Sequence, residues 1–206
     1  MKNNWIPILV LTILLPISCK AQNIVPIYNS PIQAPPSPRY YKDVDNDFDR
    51  IVGTWKWQEG NSSLTVEFKK VVRAPFAGNS VTDILIGGYT YVKNGVVCTN
   101  SLPMPNLPMD RLTNHPIWGG GIGTPIKGAP PCPECGTNPR YIRVQVTEAE
   151  NPQLSGKFII GHFTQNGVEK IRLYFANTGI YDYTIDYTGP EDMCIPEGVI
   201  LTLTKQ

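Results

Sequence analysis

Short stretches of alternating apolar and polar residues recur through most of the chain. In residues 140–148 and 63–70 every second residue is apolar, and this period of two predicts half-buried β-strands. Asn94-Gly95 and Asn166-Gly167 each separate two such stretches. An Asn-Gly pair is the favoured loop of a tight antiparallel hairpin. No stretch of ten or more residues shows a helical period, so the sequence predicts an all-β protein.

Eight or nine strand-like segments follow residue 50, including residues 180–187 and 198–205. Strands joined in sequence by hairpins most simply close into an antiparallel up-and-down barrel of about eight strands, with a two-sheet sandwich as the alternative. One long connection, residues 101–139, is rich in Pro and Gly and has no period. Loops of this length are usually functional or flexible.

The first 21 residues have the layout of a bacterial secretion signal, with a lysine, an apolar run and a Ser-Cys pair. The run is too short to span a bilayer comfortably as a helix. Residues 16–19 resemble the lipobox of bacterial lipoproteins, which implies that Cys19 becomes the lipidated first residue and anchors the protein to a membrane. Ordinary cleavage after Ala21, which leaves Gln22 first, is the alternative. We expect an exported protein, either an outer-membrane lipoprotein or a protein of the periplasm or cell surface.

Residues 22–44 form a proline-rich linker in this interpretation, with five prolines between positions 26 and 38. Proline at this density predicts an extended, semi-rigid spacer. The barrel domain then occupies residues 45–206. Cleavage after Ala21 removes Lys2 and Lys20 and takes the 18 basic residues to 16, against 17 acidic ones. This balance argues against nucleic acid as a partner, because a nucleic-acid-binding protein needs a basic face.

Gly53-Thr54-Trp55, preceded by the polar run of residues 45–52, resembles the opening of a lipocalin-type barrel. The resemblance implies an eight-stranded antiparallel barrel with Trp55 closing its base beneath a short N-terminal turn. In that family an arginine after the last strand packs on this tryptophan, and no arginine follows here. The whole layout, a lipoprotein signal followed by this motif and a barrel, is similar to secreted bacterial families of unknown function.

The faces that alternation turns inward are strongly apolar, and an eight-stranded barrel is just wide enough to be solid or to hold one small ligand. Candidates for the barrel base or the ligand lining are Trp55, Trp57, Phe68, Phe175 and, from the long loop, Trp118. We expect a small apolar ligand inside the barrel, with the loop covering the mouth. A filled barrel that docks a partner through residues 101–139 is the alternative. No cofactor is expected.

The acids and histidines do not form a recognisable catalytic set, so the sequence predicts a non-enzymatic protein. Alternate aspartates occupy positions 43, 45, 47 and 49, but the glycine and the final acid of an EF-hand loop are missing. We therefore expect a solvated turn there. His162 is expected to be a core or rim histidine, and His115 precedes a proline in the long loop.

Four cysteines follow the leader: Cys98, Cys132, Cys135 and Cys194. Exported proteins form disulfides by default. We expect Cys132 and Cys135 to pair with the distant Cys98 and Cys194 in an undetermined order. The Cys-Pro-Glu-Cys stretch also looks like half of a zinc ribbon. A zinc ion bound by all four thiolates is therefore a weaker alternative. A redox-active pair is disfavoured, because it needs its first cysteine at a helix N-terminus.

Overall fold

A computed structural model describes residues 23–30, 38–124, 129–180, 189 and 192–206. The predicted Cys19 anchor, the linker prolines at positions 31, 35 and 36, and most of the predicted strand 180–187 lie outside these residues. The described strands are β1 (Ile24–Pro26), β2 (Tyr40–Lys42), β3 (Gly53–Glu59), β4 (Ser62–Phe76), β5 (Ser80–Lys93), β6 (Val96–Asn100), β7 (Ile117–Gly123), β8 (Tyr141–Thr147), β9 (Leu154–Gln165), β10 (Val168–Ile180) and β11 (Ile200–Lys205). Three 3₁₀ turns accompany them, at Phe48–Arg50, Met109–Asn114 and Pro133–Cys135.

Eight of these strands form a closed antiparallel barrel in the order β3, β4, β5, β7, β8, β9, β10, β11 and back to β3. The last strand closes on the first where Lys205 pairs with Trp55. Both predicted Asn-Gly hairpins are present, with positive φ at each residue of the two pairs, as the tight hairpin turn requires. The prediction of an all-β antiparallel barrel is confirmed.

We call the end of the barrel at Trp55 the base, and the opposite end, at turns 60–61, 94–95 and 148–153, the far end. Strand β5 is 14 residues long and has three successive neighbours on one side. From its start onward these are β2, then β7, then β6. The β4–β5 hairpin therefore reaches beyond the base, where β1 and β2 extend the sheet.

The described parts of the expected linker, residues 23–30 and 38–44, belong to the folded domain. Strand β1 pairs with β2 in parallel, and Ile27 and Tyr41 are buried in the main apolar core. The expectation of a free spacer does not hold for these residues. The proline content does not prevent strand formation here. Only Pro26 lies in a described strand, and β1 is at the edge of the sheet, where the backbone N–H that proline lacks is not needed for pairing.

Side chains from all eight strands fill the barrel interior. Tyr89, Phe158 and Phe175 are fully buried and meet edge to face, with ring centroids 6.1 and 5.8 Å apart. Glycine makes room for them, since a Cβ at Gly156 would lie 2.4 Å from the Phe175 ring. Trp55 and Phe68 are also fully buried. Among the described residues the interior is therefore a packed core.

The long connection lies on the outer wall of the barrel and supplies one of its strands, β7. Before β7, residues 101–116 form a first strap, whose Leu112 packs on Ala74 and Ile86. After β7, residues 129–140 form a second strap over the outer face of β8 and β9. The expectation that this segment covers the barrel mouth is wrong. The strand IWGGGIG escaped detection because three consecutive glycines leave no alternation to recognise.

Candidate functional site

Trp55 closes the base of the barrel, as the lipocalin resemblance implies. Its indole N–H donates a 2.6 Å hydrogen bond to the Ile51 carbonyl in the preceding turn. The ammonium of Lys205, within the last strand, lies 5.4 Å from the indole centroid. A cation over an aromatic face is stabilising. Sequence reasoning missed Lys205 because it looked for an arginine after the strand.

The remaining interior candidates do not line a described cavity. Phe68 and Phe175 are fully buried in the core, and Trp57 is partly buried against it. Trp118 has a different environment. It lies on β7, where it pairs with Gln145 of β8, and lines a groove on the outer wall.

This groove, the Trp118 groove, has a volume of about 540 Å³. It lies between the end of the first strap and the β8–β9 turn, towards the far end of the barrel. The first strap is fixed there because Thr147 donates a 2.8 Å backbone hydrogen bond to the Pro116 carbonyl. The residues that shape the groove include Asn114, Pro116, Trp118, Gln145, Thr147, Pro152 and Ser155.

Glu148 is the single ionisable residue among the described residues that line the Trp118 groove. It is buried, and one carboxylate oxygen accepts a 3.0 Å hydrogen bond from the Cys194 backbone N–H. Burial raises the pKa of Glu148, although the bond from Cys194 opposes the shift. With one buried acid and no cation on its described lining, the groove suits an uncharged, largely apolar guest.

Two smaller cavities each contain one of the histidines. His115 is buried beneath the first strap beside a cavity of about 210 Å³, and burial lowers its pKa, with Lys69 adding to the effect. His162 lies at the base against Trp55, 3.4 Å from a carboxylate oxygen of Glu169. Burial lowers the pKa of His162 as well, while Glu169 opposes this. These surroundings fit the expected core or rim histidine at position 162.

The aspartates before β3 form a capping network, which corrects the expectation of a solvated turn. Asp43 and Asp47 are buried. The Asp43 carboxylate accepts the backbone N–H groups of Asp47 and Phe48 at 2.9 and 3.0 Å, and pairs with Lys70 at 3.0 Å. Asp47 pairs with Arg140 at 2.8 Å. The network fixes the 3₁₀ turn that lies beneath Trp55.

All four predicted cysteines form disulfides, but the expected pairing is wrong. Cys98 bonds to Cys194, and Cys132 bonds to Cys135. The second pair forms because a 3₁₀ turn brings residues three apart to a Cα separation of 5.3 Å. With the thiols paired, the zinc alternative fails, and no group of three or more His, Cys, Asp or Glu in the described part of the chain is placed to hold a metal ion.

The fold and its contacts define an eight-stranded, disulfide-bonded antiparallel barrel compatible with a lipocalin-like form, and two disulfides are consistent with an exported protein. The family model of a family of unknown function, DUF6705, matches residues 1–206, and the chain belongs to that family. No curated protein and no solved structure gives a significant match. In the described residues, no helix has the length and apolarity needed to cross a membrane.

Proposed function

We propose that this chain is an exported, lipid-anchored binding protein without enzymatic activity, and that it takes a small apolar ligand in the Trp118 groove. The observation that carries the proposal is the contrast between a packed interior and an open groove beside the indole of Trp118. The ligand site is thus moved from the barrel mouth, where the sequence suggested it, to the outer wall.

The dimensions and lining of the groove support a small, uncharged guest. Sites for small molecules typically occupy about 300–1,000 Å³ and combine apolar walls with a few polar groups. Here Trp118 comes from β7, Pro116 from the first strap and Pro152 from the β8–β9 turn. Gln145 and Thr147 on β8 supply an amide and a hydroxyl, which are the groups that orient such a ligand.

Export and anchoring rest on the leader and on the two disulfides, which form in oxidising compartments. Acylation of Cys19 is the expected outcome of its lipobox-like sequence. Intact-mass analysis of protein purified from its own membranes tests this directly. A diacyl or triacyl mass on Cys19 supports the anchor, and an unmodified chain beginning at Gln22 contradicts it.

The ligand proposal is tested with N-phenyl-1-naphthylamine, a neutral apolar fluorophore, titrated into the wild-type protein and two variants. Trp118→Ala removes the aromatic wall, so we expect binding at least tenfold weaker. Trp57→Ala, on the other side of the barrel, is the matched control and should bind like wild type. Thermal unfolding confirms that both variants are folded. Absence of saturable binding to wild type, or unchanged affinity in Trp118→Ala, contradicts the proposal.

Partner docking through residues 101–139 is a second candidate, favoured by the packed interior and by Met109 on the first strap, whose side chain is 48% exposed. A photo-crosslinking amino acid at position 109, expressed in the native host, tests it. The control position is Val168, which is 43% exposed at the base end of the β9–β10 hairpin. A single adduct formed from position 109 and not from position 168 supports docking, and equal labelling of both contradicts it.

A further inference from the structure

The short distance between the proposed anchor and the folded domain restricts how the barrel sits on a membrane. Four residues lie between Cys19 and Ile24, the first residue of β1. The five Cα-to-Cα steps from Cys19 to Ile24 span at most about 18 Å when the chain is fully extended. Strand β1 does not give more length, because Asn29 donates a 2.9 Å hydrogen bond to the Ile122 carbonyl and Ile27 is buried in the core. This inference rests on the proposed acylation of Cys19.

The tether reaches the domain beyond the base, at the face where β1, β2, β5 and β4 lie side by side. Register puts Ile24, Tyr40, Val81 and Pro75 in one row across this sheet. Ile24 and Pro75 are exposed in that row, and Tyr40 is buried. Ile24 is 51% exposed, and Val72, in the irregular part of β4 close to this row, is 54% exposed. Solvent-exposed apolar side chains of this size mark an interaction surface when they cluster.

Cations accompany these apolar residues. Lys42 follows Tyr40 on the same face of β2 and is exposed. The guanidinium of Arg73 lies 5.0 Å from the Tyr40 ring centroid. The neighbouring carboxylate of Asp83 is buried and accepts hydrogen bonds from the Tyr40 hydroxyl and the Arg73 backbone N–H. The face therefore presents exposed aliphatic groups and cations, the combination that binds the headgroup region of an anionic bilayer.

We propose that this face, formed by Ile24, Pro26, Lys42, Val72, Arg73 and Pro75, lies against the bilayer that holds the acylated Cys19. The tether is too short for the domain to move far from the surface, and β1 is the element nearest the anchor in sequence. Because Thr147 and Ser155 pair at the far end of β8 and β9 and line the Trp118 groove, the groove lies towards the end of the barrel that is remote from this face. The membrane face thus orients the groove towards ligands in the surrounding compartment.

The test uses the full-length, lipidated protein reconstituted into vesicles of phosphatidylethanolamine and phosphatidylglycerol, with and without brominated acyl chains. Val72→Trp places a reporter on the proposed face. Val96→Trp is the matched control, because Val96 is a 69% exposed valine at the far end. We expect brominated lipid to quench at least half of the added emission at position 72 and almost none at position 96. Ile24→Trp provides a second reporter if Val72→Trp does not fold.

The outcomes separate this inference from the proposed function. Acylated Cys19 with equal quenching at both positions, or with none at positions 72 and 24, overturns the membrane face and leaves the anchor intact. An unmodified Cys19 overturns the anchor and this inference together. The Trp118 groove is tested independently by its own titration, which needs no membrane.

Discussion

The barrel interior and the outer wall beneath the two straps are both apolar, yet they are packed in different ways. Every barrel strand contributes to the interior, where Phe158 is fully enclosed by neighbours from several strands. The outer wall carries two small clusters, one around Leu112 and one around Phe163, with the Trp118 groove beside them. The comparison indicates that the interior supplies stability, while the wall can hold open surface for binding.

The disulfides give the largest expected difference between the two regions. Cys98–Cys194, with a sequence separation of 96, joins residues that pack on the interior core, whereas Cys132–Cys135, with a separation of 3, belongs to the Phe163 cluster. Loop-closure entropy assigns about 4.7 kcal/mol to the first and about 2 kcal/mol to the second.

Urea denaturation of the two double alanine variants measures these losses. The Cys98→Ala/Cys194→Ala protein should unfold at clearly lower urea than Cys132→Ala/Cys135→Ala. Equal losses would mean that the disulfide of the second strap stabilises the protein as much as Cys98–Cys194 does. That result would contradict the difference proposed between the outer wall and the interior.

Truncating one phenylalanine in each region gives the next largest effect. Phe158→Ala leaves a cavity in the interior and should lower the free energy of unfolding by about 4 kcal/mol. Phe163→Ala affects a cluster of few members that is held partly by Tyr141 and the second strap, so we expect about 2 kcal/mol because the strap can settle into the space. The same denaturation experiment checks both, and a larger loss for Phe163→Ala contradicts the assignment of the main core.

Acid should loosen the first strap through His115. Its folded-state pKa is lowered by burial, so the unfolded chain, with a pKa near 6.5, takes up the proton first. Above about pH 6.5 His115 is neutral in both the folded and the unfolded state, and its full contribution to the free energy of unfolding is present. That contribution is lost as the pH falls below about 6.5, by at most about 1.4 kcal/mol per pH unit for one proton. His115→Gln should flatten the fall in urea midpoint between pH 6.5 and 5. His162→Gln reports the same effect at the base, and an unchanged slope in both variants contradicts the prediction.

The smallest expected effect concerns the base of the barrel. Lys205→Met keeps the aliphatic stem but removes the cation over Trp55 and the 2.7 Å ion pair with Glu169. Such a cation–π contact at a partly exposed site contributes about 0.5–1 kcal/mol. Thermal unfolding should show a drop of a few degrees. A stability gain would contradict a stabilising contact between the Lys205 cation and Trp55.

Local patterns predicted the barrel because they are properties of neighbouring residues. Alternation predicts β4 and β8, and the two Asn-Gly pairs predict hairpins whose positive φ angles the structure contains. Strands β1 and β2 have three residues each, too few for a period. The glycines of β7 removed its pattern altogether.

The candidate site and the disulfide pairing could not be predicted in the same way, since both depend on residues distant in sequence. Trp118 was identified as a ligand-lining residue, but its location on the outer wall follows from its pairing with Gln145. Cys98 meets Cys194 across 96 residues. The buried role of Asp43 depends likewise on Lys70, 27 positions away.

The central claim is that the interior is a packed core and that a ligand binds outside it, against Trp118. Fluorine NMR of protein labelled with 5-fluorotryptophan tests this directly, because Trp55, Trp57 and Trp118 report on the base, the interior core and the groove. Titration with N-phenyl-1-naphthylamine should shift the Trp118 resonance saturably and leave the Trp55 and Trp57 resonances in place. A saturable shift at Trp55 with Trp118 unchanged would put the ligand inside the barrel and contradict the claim.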